Sequence, residues 1–575
     1  MRYTSRIRWA LFALCCFAPG LFAGDAPGGY HSDEAWGYKV RTPQGWTEAA
    51  LSADENWIAS KFLGKRELEA KNSQYWTRET PEMWVIGFPH ARKEEVGARK
   101  VDRGDYDEIQ FDAPYKDYKD FIKRNKNFLS WEGGGYFFSK EEETEIGGVP
   151  VTQYEIKMEQ MVNTPRRVVA WVYHFEDIDF AIQFKIIEDY FPEFESGFEG
   201  CMKTLKRVKR TKALPGASRT GSKIVEEIDI DRLPPEERKK ALKEAVERKF
   251  KREEEALPKD WKIKRTKNYL VLYNSSDKFM NQMMSHVEVV RDHIEDLFGG
   301  VGADYVPPGI VRIFASDVEQ SAYHSSTSNP WGIVRELSIV EGHGWEKDNA
   351  YESINRGIFS QWLYYRNKLL DQNMPGWLSS GLDKYFQMVR TKGRRITFSN
   401  EDWGRDQMRL SIKKGEYVPL RDLLSSGVWD AAEASGNEAE VISGWQRHSQ
   451  AQSVVYWLMT EGNRGKYKGI VRDYLSTLIV IVEEAEAEYQ AKMAKIKAEE
   501  EAAKMAAEEK AKEIDDESEE IAEGEFDAGK RWEEMAKAFK EKRAEILTQS
   551  FERAFTGWDD RDWERFTKAW VNHAD

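Results

Sequence analysis

Cysteine is almost missing from this sequence, with three residues in 575. Cys15 and Cys16 fall in an apolar N-terminal run, which leaves Cys201 alone in the rest of the chain. That remainder can form neither an intramolecular disulfide nor a cysteine zinc site. Histidine is scarce as well: the nine histidines are scattered, and no two have the H-x-x-x-H spacing that sets two imidazoles one helical turn apart. No G-x-S-x-G elbow and no Walker-type glycine-rich lysine loop occurs. Ser275 to Lys278 and Ser411 to Lys414 match S-x-x-K, but both lack the companion motifs and chance accounts for them. Positive charge is in deficit: 86 Lys and Arg face 100 Asp and Glu, a net charge of −14. That balance argues against a nucleic-acid partner, because neutralising phosphates needs a basic face. After residue 23 no apolar run is long enough to span a bilayer.

Aromatic residues, by contrast, are plentiful. They make up 13% of the chain, with 21 Trp, 24 Tyr and 28 Phe among 41% hydrophobic residues. This is ample core material for a chain too long for one core, and it predicts two or three domains. Residues 1–23 read as an export signal: Arg2, Arg6 and Arg8 precede the uncharged run from Trp9 to Ala23, and Leu21-Phe22-Ala23 offers a cleavage site before Gly24. A retained N-terminal anchor is the alternative. Export places the protein in the periplasm, the cell envelope or the extracellular space.

Residues 24–212 are expected to form an α+β domain with an antiparallel sheet. Gly37 to Val40 is a short strand ending at the turn Pro43-Gln44-Gly45-Trp46, and Trp84 to Phe88 is another. Tyr118, Phe121, Ile122 and Phe128 lie at helical spacing. Gly147-Gly148 introduces the strand Val149 to Met158, Val168 to His174 and Phe180 to Ile186 form a hairpin, and a helix follows from Phe191 to Leu205. Cys201 falls in the apolar pattern of that helix and is expected to be a buried small hydrophobe. The strand with P-x-G-W, the segment "IGGVPVTQYEIKM" and the closing "FEGCMKTLKRV" resemble the PsbP/Mog1-like domains, a resemblance that implies a binding or docking module. Residues 213–257 read as a charged linker and a solvated helix held by i,i+4 ion pairs.

From residue 258 the pattern becomes compact again. Tyr269 to Tyr273 and Ile310 to Phe314 are strands, Gly332 to Val340 is an edge strand, and Phe279 to Phe298, Tyr351 to Leu370 and Trp377 to Val389 are helices. Residues 485–545 form an Ala/Glu/Lys-rich charged insertion, read either as a helical hairpin arm with an acidic turn or as a solvated, frayed segment. The string from Pro375 to Phe386, "PGWLSSGLDKYF", then "HSQAQSVVYWL" and the closing "FERAFTGWDDRDWERFTKAWVNH" resemble the peptidase MA-like gluzincins over 258–484 and 546–575. The resemblance implies a mixed sheet with a helical half, a helix bearing H-E-x-x-H, and a third ligand, Glu, at the position of Ser380. The fold class expected for the whole chain is therefore α+β multidomain: an antiparallel-sheet α+β domain followed by a gluzincin-like domain with a charged helical insertion.

The residues that would do the chemistry are not there. Counting back twenty positions from Ser380 aligns Arg356, Gly357 and Ser360 with the first histidine, the general base and the second histidine. A guanidinium has no lone pair and a fixed positive charge, glycine has no side chain, and two neutral hydroxyls are poor zinc ligands. No metal, cofactor or catalytic residue is therefore expected. Ile354, Ile358, Trp362, Tyr365 and Leu369 form the core stripe of this helix, which puts Arg356 and Ser360 together on another face. Gly357 has a second reading, close packing against a neighbouring element. Arg356, Ser360, Ser380 and Asp383 remain as candidate binding residues for a peptide or protein partner. His324, Glu336, His343, Glu346 and Glu352 are expected as exposed loop residues near the cleft mouth. The leading expectation is an exported, non-catalytic protein with a peptidase-like domain. The alternatives are a hydrolase with displaced ligands and an assembly protein acting through the charged arm.

Overall fold

The computed structural model describes residues 26–51, 58–71, 78–90, 98–102, 107–111, 115–124, 135–158, 165–211, 235–302, 305–326, 336–341, 347–366, 370, 373–399, 403–426, 444–460, 466–467, 469–488, 491 and 528–574. The expected export signal, most of the expected linker, the acidic interruption of the expected insertion and Leu369 lie outside them.

The first half contains strands β1 (Pro27–Asp33), β2 (Tyr38–Pro43), β3 (Thr47–Glu48), β4 (Ile58–Leu63), β5 (Leu68–Glu69), β6 (Arg78–Glu79), β7 (Glu82–Pro89), β8 (Ala98–Asp102) and β9 (Asp107–Phe111), then helix α1 (Tyr118–Arg124). Strands β10 (Tyr136–Ile146), β11 (Val149–Met158), β12 (Arg166–His174) and β13 (Ile178–Ile187) lead to helix α2 (Phe191–Met202) and strand β14 (Lys206–Arg207). Seven strands form an antiparallel sheet in the order β10-β11-β12-β13-β7-β4-β3, and β1-β2-β14 form a second sheet. Gly147 (φ 63°) and Gly148 (φ 82°) join β10 to β11 in a two-residue turn, where both positions need the left-handed region.

Alternation assigns the two faces of the large sheet. Met83, Val85, Phe180, Ile182 and Phe184 pack against α2 and β2, where the Phe184 and Phe198 rings stack at 4.1 Å. Trp84, Ile86, Phe88 and Ala181 face α1. Cys201 is fully buried in the first of these layers.

The second half starts with helix α3 (Pro235–Glu255), then β15 (Lys262–Arg265), β16 (Tyr269–Tyr273), α4 (Asp277–Phe298), β17 (Gly309–Phe314), α5 (Asp317–Ser326), β18 (Glu336–Val340) and α6 (Lys347–Arg366). Its sheet is mixed, ordered β15-β16-β17-β18, with β15 antiparallel and the other three parallel, so β18 is an edge strand as the sequence predicts. Val271, Ile313, Leu337 and Ile339 face α4 and α6, while Leu270, Leu272, Ile310 and Phe314 face α3 and Tyr323 of α5. Helices α7 (Gly376–Met388), α8 (Trp403–Lys414), α9 (Leu420–Ser425), α10 (Gly444–Thr460), α11 (470–488), α12 (Ala528–Ala554) and α13 (Asp560–Ala574) build the helical half, with a hairpin of β19 (Val389–Lys392) and β20 (Arg395–Phe398) after α7. The chain is thus a multidomain α+β protein, antiparallel in its first half and increasingly helical in its second. No helix among the described residues is long and apolar enough to cross a membrane.

One detail departs from expectation. Helix α3 is not solvated all round: Ala245, Val246, Phe250 and Glu253 are buried against the mixed sheet. Its dense charge hides a narrow apolar face, and only the opposite face carries free i,i+4 pairs such as Lys251–Glu255. The flanks of the insertion are helical, α11 and α12 lying side by side through Lys542–Glu488 and Arg553–Glu484, both 3.2 Å.

Candidate functional site

Helices α6 and α7 meet through stacked rings. Ile354, Ile358, Trp362 and Tyr365 are buried along α6, Trp377, Leu378, Leu382 and Phe386 along α7, and Phe359 stacks on Phe386 at 4.4 Å. Gly381 lets α7 approach α10: a Cβ there would stand 2.2 Å from Val455 Cγ2 and 3.0 Å from the Ala451 carbonyl oxygen. The expected periodicity is therefore present, and it turns Arg356 outward, away from this core.

Arg356 reaches across the helix pair to Asp383, with Nε 3.2 Å from Oδ2. The Arg356 side chain is 60% exposed and that of Asp383 is 32% exposed. Ser360 lies half-buried one turn further along α6. Ser380 faces α10 instead: its Oγ is 3.0 Å from His448 Nδ1 and accepts a longer 3.4 Å bond from Gln452 Nε2. Burial lowers the pKa of His448. At Gly357 a Cβ would come within 2.9 Å of Leu337 Cδ2, the far end of a side chain on the edge strand, so α6 packs closely on β18 here.

The donor set does not suit zinc. A guanidinium and a carboxylate neutralise each other across the helices, and the hydroxyls beside them are weak ligands. Among the described residues no group of three or more His, Cys, Asp or Glu side chains is arranged to hold a metal ion.

A polar lock lies directly beneath Arg356. Asn355 Nδ2 donates to the Val389 carbonyl (2.8 Å), so its Oδ1 faces His286 Nε2 (2.6 Å), and that nitrogen must carry the ring proton. Nδ1 then accepts from the Thr391 hydroxyl at 2.8 Å. His286 is 3% exposed, and burial, against the pull of the Asn355 bond, depresses its pKa. This lock ties α4, α6 and β19 together. His286 lies among the buried Met283, Val287 and Val290 of α4, and nothing in that spacing points to Asn355 or Thr391 as its partners.

The loop expectation for the cleft-mouth residues needs correction. Glu336 begins the edge strand, and its carboxylate takes Arg312 Nε at 2.7 Å and the Tyr323 hydroxyl at 2.9 Å. Glu352 sits on α6 facing Arg390 at 3.5 Å. The two do not converge. His324 lies in α5 with its side chain outside the described residues, as are His343 and Glu346.

A buried ion cluster escaped the sequence reading altogether. Arg312, fully buried in β17, bonds Glu253 of α3 at 2.8 Å as well as Glu336, and Lys249 pairs with Glu253 at 2.7 Å. Burial opposes the charge on Arg312, yet Glu336, Tyr323 and Glu253 more than offset it and hold the group protonated. The available signal was an arginine in the middle of the apolar strand "GIVRIF", which requires a buried counter-charge.

No protein-family model matches the chain, and no curated protein does. Solved structures similar to part of it include cyanobacterial PsbP (CyanoP) from Synechocystis, with a TM-score of 0.22, 16% identity, and 32% of this chain covered against 94% of that one. LpqN, involved in cell envelope biogenesis of Mycobacterium tuberculosis, gives 0.20 and 13%, covering 31% and 87%. A putative regulator of unknown function from Pseudomonas aeruginosa gives 0.16 and 12%, covering 31% and 95%. Likenesses of this size and score assign no activity to the chain.

Proposed function

We propose that this is an exported, non-catalytic binding protein whose second half is a gluzincin-like domain stripped of its metal chemistry. The observation that carries this reading is the Arg356–Asp383 pair at 3.2 Å. A cation and an anion bridge the two helices that carry the positions aligned with the zinc ligands. In this reading the guanidinium replaces the metal as the link between the helices. Its exposed terminal nitrogens hold a carboxylate of a peptide or protein partner, in the planar two-point geometry that guanidinium favours. The edge of β18 nearby, which pairs with no strand among the described residues, suits an extended segment, whose backbone would continue the sheet.

The test has two arms. Metal analysis of the purified protein, beside a general protease assay, is expected to give substoichiometric zinc and no chelator-sensitive cleavage. Arg356→Ala is expected to abolish capture of a partner that the wild type retains, with unchanged thermal unfolding. Stoichiometric zinc with amide hydrolysis would sink the reading, and undiminished capture would remove Arg356 from it.

A further inference from the structure

The three-stranded sheet β1-β2-β14 has two unlike faces. Its inner face is apolar: Tyr38 and Val40 of β2 are fully buried in one cluster with Phe198 and Cys201 of α2. By alternation Lys39 and Arg41 stand on the outer face. The register sets Lys206 of β14 opposite Lys39 on one side of β2, and Ser32 and Tyr30 of β1 opposite Lys39 and Arg41 on the other. Three cations therefore share a face with a tyrosine that is 49% exposed. Lys39 Nζ lies 5.5 Å, and Arg41 Cζ 5.0 Å, from the centroid of the Tyr30 ring. Ser32, Arg41 and Lys206 are exposed and Lys39 is half-buried.

The charge on this face is not balanced from within. Lys39 and Lys206 stand directly across the ladder from each other, where like charges repel and cost stability. Among the described residues no ion pair forms on Lys39, Arg41 or Lys206. Acids on the adjoining segments have other partners. Glu199 pairs with Lys203 at 2.9 Å, Asp177 holds Arg207 at 2.9 Å and also Arg210, and Glu34 accepts from the Thr211 hydroxyl at 2.7 Å. A repulsive pair kept beside a third cation marks a surface whose counter-charge comes from outside the chain, even though the chain as a whole carries a net charge of −14.

We propose that the outer face of the β1-β2-β14 sheet docks on a bilayer surface bearing anionic headgroups. The three cations stand on one face of pleated backbone, so a planar array of phosphates meets all of them at once, and an exposed tyrosine suits the headgroup layer. Position in the chain points the same way. Strand β1 begins four residues after Ala23, the end of the uncharged N-terminal run, so a run retained in a bilayer would hold this sheet within about 14 Å of it. Each cation near such a surface strengthens binding about fivefold, which makes three of them a weak contact worth about a hundredfold, sensitive to salt.

Lysine acetylation footprinting of the full chain tests the proposal, because it reads the face itself whatever the N-terminal run does. Vesicles of mixed phosphatidylglycerol and phosphatidylcholine should slow modification of Lys39 and Lys206 at least about fivefold. Lys251 of α3, with a side chain 76% exposed, should react as before. Phosphatidylcholine alone should protect neither lysine, and high salt should remove the protection. Arg41→Gln should weaken the protection about fivefold without lowering the unfolding midpoint. Unslowed modification of Lys39 and Lys206 in the mixed vesicles overturns the proposal, as does full protection in Arg41→Gln. Equal protection by dissolved poly-glutamate also overturns it, in favour of an acidic polypeptide. If Arg41→Gln does not fold, the wild type decides: protection that survives high salt overturns the docking.

Discussion

Arg356 and its neighbours give the most direct handle on register. Replacing Arg356→His, Ser360→His and Ser380→Glu together puts two imidazoles and a carboxylate at the spacing of a three-ligand zinc site. If the proposed gluzincin-like alignment of α6 and α7 is right, this triple variant should bind zinc at about one equivalent, read by metal analysis after dialysis, while each single variant binds none. A triple variant without zinc would mean that the alignment of these helices has slipped. Deeper in the same region, His286 links pH to stability. Its folded pKa lies below the ordinary 6.5, so the unfolded chain binds the proton more readily. Its contribution is complete above 6.5 and is lost as the pH falls towards the depressed folded value. His286→Gln should flatten that part of the acid-stability curve. It should also cost about 1–3 kcal/mol at neutral pH, by leaving buried partners unmatched, as measured by denaturant unfolding.

Among the elements, α3 is where burial and charge decide together. Arg312 has no exposure, and two of its nitrogens rely on carboxylates from α3 and β18. Removing one partner of such a pair is far costlier than the pair is worth, because the other charge stays buried. Glu253→Gln is therefore expected to destabilise the second half by about 3–5 kcal/mol, seen as a lowered unfolding midpoint. Glu255→Gln on the exposed end of the same helix should change little. Strands and helices with uniform chemistry were legible in the sequence. Phe180 to Ile186 was readable as a strand of a hairpin, within what is Ile178–Ile187, and the stripe from Ile354 to Tyr365 as a packed helix. What could not be read was polar pairing at long separation. Lys249–Glu253 looks like any solvated i,i+4 pair until Arg312, fifty-nine residues beyond Glu253, is placed against it.

At the scale of the whole molecule, composition and domain-sized patterning foretold an α+β chain whose second half is more helical. Of the candidate site only the helical placement was legible: Arg356 and Ser360 lie on α6 and Ser380 on α7. Its wiring was not: Asp383 binds Arg356, and Ser380 turns towards His448. The meeting of the two halves was also invisible, because Ala49, Ala50, Leu63 and Ala322 carry no pattern that marks them for one another.

Cys201 sits sealed on the inner face of α2 and is the lone cysteine after residue 16. Residues 24–575 on their own would therefore fold without any choice of sulfur pairing, with no wrong bridge for an oxidising environment to trap among them. The same residue doubles as a built-in clock: a thiol reagent should find it only at the pace at which the first domain comes apart.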